Sequence, residues 1–321
     1  MGVNTPIADD ISVTDQNAQY DAACRRLLSE KIVLAWIMKS CLDEYRDCDV
    51  KEIAEKYIES EPQVSKVAVA PDETNARIRG MSNEDTSLTE GKITYDVRFL
   101  ATVPSSGELI QIIIDVEGQN KFDPGYPLLK RAVYYCSRMI SVQHGTEFVH
   151  SEYQKIKKVV SIWVCMSPPD ERKNTITRYH LTEENLVGNV KEPVRNYDLI
   201  DIVIPCLGGA NGENYDGVLK LLDVLLSGEK SVNEKRQVLQ EDFDIPMTQT
   251  LETEVLAMCN FSQGVMQKGI EKGKVEGRAE GFLVAIRNLM DSMGWSMEQA
   301  MEALRVSESD RSKYAELLQK Q

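Results

Sequence analysis

Asp96 interrupts the run KITYDVRFL, and Asp115, Glu117 and Gln119 alternate along IIIDVEGQ. On a regular strand, alternation places those last three on one face. Burying an unpaired carboxylate costs on the order of several kcal/mol, so acids on core strands are paired with cations or hold a metal ion. Two or three carboxylates with a backbone carbonyl make the hard oxygen cage that Mg²⁺ prefers, leaving positions for water and a phosphate. Such an ion lowers the pKa of bound water and neutralises charge on a scissile phosphate, so the chemistry implied is metal-assisted phosphodiester hydrolysis. The plainer reading is the solvated face of a half-exposed strand, with Arg98 or Lys121 as casual partners.

The elements that must position these residues follow from changes of period. Over Tyr20–Tyr45, Leu28, Ile32, Ala35, Trp36 and Leu42 recur at helical spacing, which predicts one long first helix with Glu30 on its exposed side; a second short helix is expected over 50–61. Pro71–Gly91 reads as loop. Lys92–Val103 and Leu109–Val116 are β-branched-rich runs separated by Pro104, Ser105, Ser106 and Gly107, an antiparallel hairpin. FDPGYP ends the second strand, and Leu128, Ala132, Tyr135 and Met139 place a helix over Leu128–Val142. Lys158–Met166, Thr175–His180 and Asp198–Ile204 are expected strands and Tyr215–Leu226 a helix, which makes an α/β chain with a central mixed sheet flanked by helices.

An acid, then about twenty residues later an acid-x-polar pair on a strand followed by a helix, resembles the PD-(D/E)XK nuclease superfamily. More narrowly, YDVRF, VEGQNKFDPGYPLLKRAVYYCSRMIS and YQKIKKVVSIWVCM are similar to the PD-(D/E)XK family transposases, also called recombination-promoting nucleases. The likeness spans roughly residues 20–305, with the Gly-punctuated tail and SMEQAMEAL at its end. It implies a restriction-endonuclease-like core with a C-terminal helical tail, and a Mg²⁺-dependent DNA endonuclease. Asp96 and Glu117 would be metal ligands with the Gly118 carbonyl as a third, and Gln119 would stand where the superfamily carries Lys. Glu30 would correspond to the acid that many members contribute from the first helix. The departure at Gln119 matters: an amide orients water or donates a hydrogen bond but supplies no positive charge.

Lys130, Arg131, Tyr135 and Arg138 follow on the next helix, the last three at i, i+4 and i+7. Arginines so spaced can contact successive phosphates and an aromatic ring can stack on a base, whereas the bland alternative packs Tyr135 and solvates the arginines. The net charge of −14 opposes DNA binding. Yet residues 121–160 hold seven Lys/Arg against three Asp/Glu, a local +4 on a remainder of −18. His144, His150 and His180 lack metal-ligand spacing, Cys136 and Cys165 read as core, and CLGGANGEN (206–214) lacks the GK[ST] of a phosphate-binding loop.

No apolar stretch reaches the ~18 residues of a membrane helix, and the seven scattered cysteines without CxxC pairs fit a reducing cytoplasm. Residues 1–19 read as a disordered leader, 20–228 as the nuclease-like domain and 229–262 as an acidic hinge; 263–321 read as a charged helix with Gly269, Gly273, Gly277 and Gly281, followed by short amphipathic helices. DNA is the expected partner, with a homo-oligomeric contact through the C-terminal helices. A second reading is a non-catalytic nuclease-fold module that mediates protein–protein interaction, which the −14 charge and Gln119 favour.

Overall fold

In the computed structural model the expected first helix is two: α1 spans Pro6–Ser29 and α2 Lys31–Cys41, with Glu30 between them in extended conformation (φ −62°, ψ 123°). The break re-aims the apolar stripe, so that Leu27 and Leu28 on one side and Leu34, Ile37 and Met38 on the other all reach a single core. α1 includes residues 6–19 of the expected leader, a stretch without Gly or Pro after Pro6. The structure describes residues 6–64, 84–87, 91–94, 96–104, 111–210, 214–228 and 230–319. Residues 71–83 and 88–90 of the expected loop, 105–107 of the expected turn and 211–213 of the glycine-rich segment lie outside these.

Helix α3, Val50–Glu52, is capped by the Asp49 carboxylate, which accepts from Lys51 N at 2.9 Å, and it continues as a π turn over Ile53–Tyr57. The expected helix stops there because the following backbone pairs with a strand: β1, Ile58–Val64, lies antiparallel to β4, Val97–Thr102. Its register shifts between Glu59 and Gln63, where Pro62 has no N–H to give. Two short strands, β2 (Glu84–Ser87) and β3 (Gly91–Thr94), pair with each other in a separate two-stranded sheet. The single strand expected over Lys92–Val103 is therefore divided, and Asp96 sits in the bend that precedes β4.

β5 (Gln111–Lys121) follows β4 antiparallel, α4 (Leu128–Ser141) returns the chain, and β6 (Val159–Ser167) lies parallel to β5. β7 (Thr175–His180) and β8 (Ile200–Cys206) complete a six-stranded mixed sheet of order β1-β4-β5-β6-β8-β7. Alternation sorts its side chains into two layers. Ile114, Val116, Ile162, Val164 and Val203 join α1 and α2 in the larger core; Ile113, Trp163, Cys165, Ile202 and Ile204 pack on Leu128, Ala132, Tyr135 and Met139 of α4.

Residues 229–262, expected as a hinge, instead add to the larger core. α6 (Val232–Glu241), opened by a Ser231–Glu234 capping box, supplies Leu239, and Phe243, Ile245, Leu251 and Val255 follow it inward, joining Leu221 and Leu222 of α5 (Gly217–Leu226). The acidic composition of the stretch belongs to its outer face, and its sparse apolar residues fall at inward positions. The chain divides into two compact units, Met1–Ser262 and Gln263–Gln321. α7 runs Gln249–Met293. Among the described residues nothing lies within 4 Å of where a Cβ at its Gly277 or Gly281 would stand. The second unit has its own core of Ile286, Ala300, Met301, Val306 and Tyr314, built with α8 (Met297–Ala303) and α9 (Glu308–Gln319). No helix among the described residues is long and apolar enough to cross a membrane.

Candidate active site

The bend at Asp96 leaves that residue beside the end of β5, where Val97 pairs with Val116. Its backbone N–H donates to Glu117 Oε1 at 2.9 Å, and Gly118 N donates to Asp96 Oδ2 at 3.1 Å. Each acid thus holds the backbone of the opposite strand. The two carboxylates come from different layers, Asp96 toward α1 and Glu117 toward α4, and converge on these backbone groups at the sheet margin. Gly118 matters here: a Cβ would stand 3.5 Å from Leu28 and 4.0 Å from Asp96 Oδ2.

Asp115 and Glu117 are buried on the α4 side. Ser161 Oγ on β6 donates to Asp115 Oδ2 at 2.9 Å, and Trp163 Nε1 donates to Ser161 Oγ at 2.8 Å. Asp115 Oδ1 is buried and receives no donor. The Glu117 carboxyl and the Arg98 guanidinium, in register with Asp115 on β4, are among the groups that act on this carboxyl. Burial pushes the Asp115 carboxyl up to about 7, partly offset by its contacts with Glu117 and Ser161. Glu117 is held well above the usual carboxylate range by burial, then by the charges of Asp115 and Asp96. Asp96 is raised by burial against the opposing pull of Arg25 and the Gly118 N–H.

Three arginines approach this group: Arg98, buried and in register with Asp115 across β4 and β5, pulls the Asp115 carboxyl down against burial, and Arg25 and Arg131 flank the other acids. Arg25 of α1 meets Asp96 Oδ1 at 3.4 Å, while its Nη2 is buried without a hydrogen-bond partner. Arg131 of α4 donates to the Tyr126 hydroxyl at 2.9 Å and the Tyr135 hydroxyl at 2.8 Å, and its guanidinium stacks 5.1 Å from both the Tyr135 and Trp163 rings.

Asp96, Glu117 and Gly118 are therefore brought together, with Gln119 half-buried on the Glu117 side of β5 opposite Cys165. Glu30 is placed at the α1–α2 junction, where its carbonyl accepts from Val33 and Leu34; the α1 acid that feels Asp96 is Asp21, raised by burial and, after the opposing pull of Arg25, by Asp96. The α4 assignments need correction as exposed DNA contacts. Lys130 is exposed and Arg131 half-buried, but Tyr135 packs edge-on against Trp163 at 5.2 Å and Arg138 is only 5% exposed, bonded to the Tyr134 hydroxyl at 3.2 Å. The i, i+4, i+7 row coincides with the helix face that covers the sheet. Asp115's partner Ser161, the Trp163 that donates to Ser161, and Arg25 escaped sequence reading; the early sign was that Asp115 shares the alternation of Glu117.

The one three-ligand grouping of His, Asp and Glu among the described residues lies elsewhere: His180, Asp198 and Asp201, with ligand atoms within 4.8 Å of one another. Its oxygens already carry the protein's own cations. Lys158 Nζ lies 2.8 Å from Glu44 and Asp198 and 2.9 Å from Asp201, and Arg178 Nη2 lies 2.7 Å from Asp201. A cation at the β4–β5 margin would rest instead on two carboxylates and a carbonyl. The orphaned Asp115 Oδ1 beside hard oxygen donors fits a divalent metal there. No family model, no curated protein and no solved structure matches the chain.

Proposed function

We propose that the chain is a divalent-metal-dependent DNA endonuclease of the PD-(D/E)XK transposase-like type, with Asp96, Glu117 and the Gly118 carbonyl holding Mg²⁺. The observation that carries the reading is the reciprocal bonding of the Asp96 and Glu117 carboxylates onto each other's strands, beside a buried carboxylate oxygen without a donor. The succession of Asp96 before β4, the acid-x-polar pair on β5 and the helix α4 after it follows the pattern on which the sequence resemblance rests, and it supports the same reading. When bound, Mg²⁺ would supply an acidified water and neutralise phosphate charge.

The chain's own groups then have definite tasks. Glu117 must give up the proton that burial and Asp115 favour, which makes metal binding release protons and strengthen with pH. Arg25, beside Asp96, places on the α1 side the positive charge that Gln119 does not supply. Gln119 positions water by hydrogen bonding. Arg131, braced by two tyrosines, keeps a fixed positive charge on the α4 side.

The test combines Mg²⁺ and Mn²⁺ titration calorimetry with nicking of supercoiled plasmid. The parent should bind metal with proton release and nick in its presence; Asp96→Asn and Glu117→Gln should lose both. Nicking by Asp96→Asn at the parent rate overturns the assignment. The second reading, a protein-binding module on the same fold, is favoured by the exposed apolar residues of the β7–β8 connection, Leu186 (86% exposed), Val187 (95%) and Val190 (69%).

A further inference from the structure

Cys165 on β6 and Cys206 on β8 are register partners in adjacent parallel strands, at the same offset that pairs Val159 with Ile200 and Ile162 with Val203. Partners in register point to the same face, and both side chains belong to the buried layer beneath α4. Neighbouring strands stand about 4.8 Å apart, inside the roughly 4.4–6.8 Å that a disulfide spans between Cα atoms, so the two sulfurs can join without backbone movement. Both cysteines are free, and their thiols hydrogen-bond to each other. Cys136, which shares this layer, is engaged elsewhere: its thiol donates to Asp201 O at 3.9 Å, at the opposite end of β8.

The surroundings distinguish the two thiols. One level of the sheet carries Gln119 on β5, Cys165, Cys206 and Thr175 on β7 in a row. Arg172, whose guanidinium stacks 4.3 Å from the Phe122 ring, brings positive charge to both sulfurs. The bond from Cys165 holds the Cys206 thiol below its ordinary value against burial, and Arg172 and Thr175 act in the same direction. Cys165 is raised by that bond and by burial, against the weaker pull of the Ser167 backbone and Arg172. Cys206 is therefore the readier nucleophile. The chain after it is held in place: at Gly208 a Cβ would stand 2.6 Å from Lys173 Cβ and 2.9 Å from Asn174 N, so only glycine lets this loop close on the turn before β7.

We infer that Cys165 and Cys206 are a dithiol oxidised by a hydroperoxide, with Cys206 as the attacking sulfur and Cys165 as the thiol that closes a cross-strand disulfide. The Cys206 sulfur takes one oxygen of the peroxide; the O–O bond breaks, the Cys206 proton goes to the departing oxygen, and a sulfenic acid is left. The Cys165 sulfur then attacks the Cys206 sulfur, the S–O bond breaks, and the hydroxyl leaves as water with the Cys165 proton. Two thiols are oxidised to one disulfide and one peroxide is reduced. Burial selects the oxidant: Cys165 is 0% and Cys206 2% exposed, which excludes a reagent as bulky as oxidised glutathione and favours a peroxide close to water in size. The inference does not rest on the nuclease reading, because the bond forms without metal or DNA.

The full chain in excess EDTA is treated with hydrogen peroxide, unfolded in the presence of iodoacetamide, and digested with trypsin without reductant. Trypsin releases Cys165 in peptide 159–172 and Cys206 in peptide 196–220, neither of which holds another cysteine. Mass spectrometry should recover the two joined, lighter than their sum by the two thiol hydrogens, and separated by dithiothreitol. In Cys165→Ala, dimedone should label Cys206 as its sulfenic acid; in Cys206→Ala, Cys165 should stay unlabelled at the same dose of peroxide. Recovery of both cysteines as alkylated thiols, or joined to other cysteines, overturns the proposal, and this arm uses the unaltered chain alone. Labelling of Cys165 in Cys206→Ala, with none of Cys206 in Cys165→Ala, overturns the assigned roles. An equal yield of the joined peptides with oxidised glutathione overturns the choice of peroxide. A failure of plasmid nicking in Mg²⁺ with the disulfide still formed overturns the nuclease reading alone.

Discussion

Replacing Asp115 with Asn should stabilise the protein at neutral and alkaline pH, contrary to the usual result of altering a fully buried polar residue. The Asp115 carboxyl is wholly buried and burial holds its pKa at about 7, against an ordinary 3.8. The folded state therefore keeps a proton that the unfolded chain has released. Stability from this group is complete below the unfolded value, falls as pH rises from there toward about 7, and is flat beyond. The difference of about three pKa units corresponds to about 4 kcal/mol in all, of which about 2 kcal/mol is lost between about pH 5.5 and pH 8. Asn does not ionise. It keeps an oxygen for the Ser161 hydroxyl and places an amide N–H where Oδ1 now lacks a donor, beside Glu117. Urea denaturation read by tryptophan fluorescence is suited to the task, because Trp163 is bonded to Ser161 and Ser161 to Asp115. The variant should match the parent within about 1 kcal/mol near pH 5.5 and exceed it by about 2 kcal/mol more near pH 8. An unchanged pH slope, or a variant less stable than the parent at pH 8, would refute the account of burial given for this carboxyl.

Three other substitutions probe separate parts of the reasoning. Lys158→Met removes the ammonium shared by Glu44, Asp198 and the fully buried Asp201, and should cost about 3–5 kcal/mol in urea denaturation at neutral pH; a loss under about 1 kcal/mol would show that Arg178 alone suffices for Asp201. Gly208→Ala forces a methyl into the Lys173–Asn174 turn and should cost about 1–3 kcal/mol, measured in the same way, with an unchanged midpoint meaning that the loop yields freely. Gln119→Lys, under the nuclease reading, should retain metal binding by calorimetry and keep or raise plasmid nicking, since an ammonium adds charge stabilisation that an amide lacks. Loss of nicking with metal bound would give the amide a task of its own.

Several features were decided by local sequence alone. The β-branched run of β6, the period of α4 and the Thr175–His180 strand appear at the positions that alternation and helical spacing indicate, because burial of one face dictates those periods wherever the element lies. Asp96, Asp115 and Glu117 stood out for the same reason: acids within apolar strands demand partners. Which partners they receive was beyond local reading, since Arg25 lies 71 residues from Asp96 and Ser161 lies 46 from Asp115, and only the sheet order brings them together. The identity of α4's faces was ambiguous because Tyr135 fits both an apolar stripe and a stacking platform. Packing against Trp163 decides it, and with it the burial of Arg138. The end of the second helix at Tyr57 and the inward turn of residues 229–262 likewise depend on tertiary partners: β4 claims the backbone after Ile58, and the larger core takes Leu239, Phe243 and Ile245 from a stretch whose composition is dominated by its solvated face. Local periodicity determines which face of an element is apolar; only the assembled layers determine what that face, and any charge left upon it, will meet.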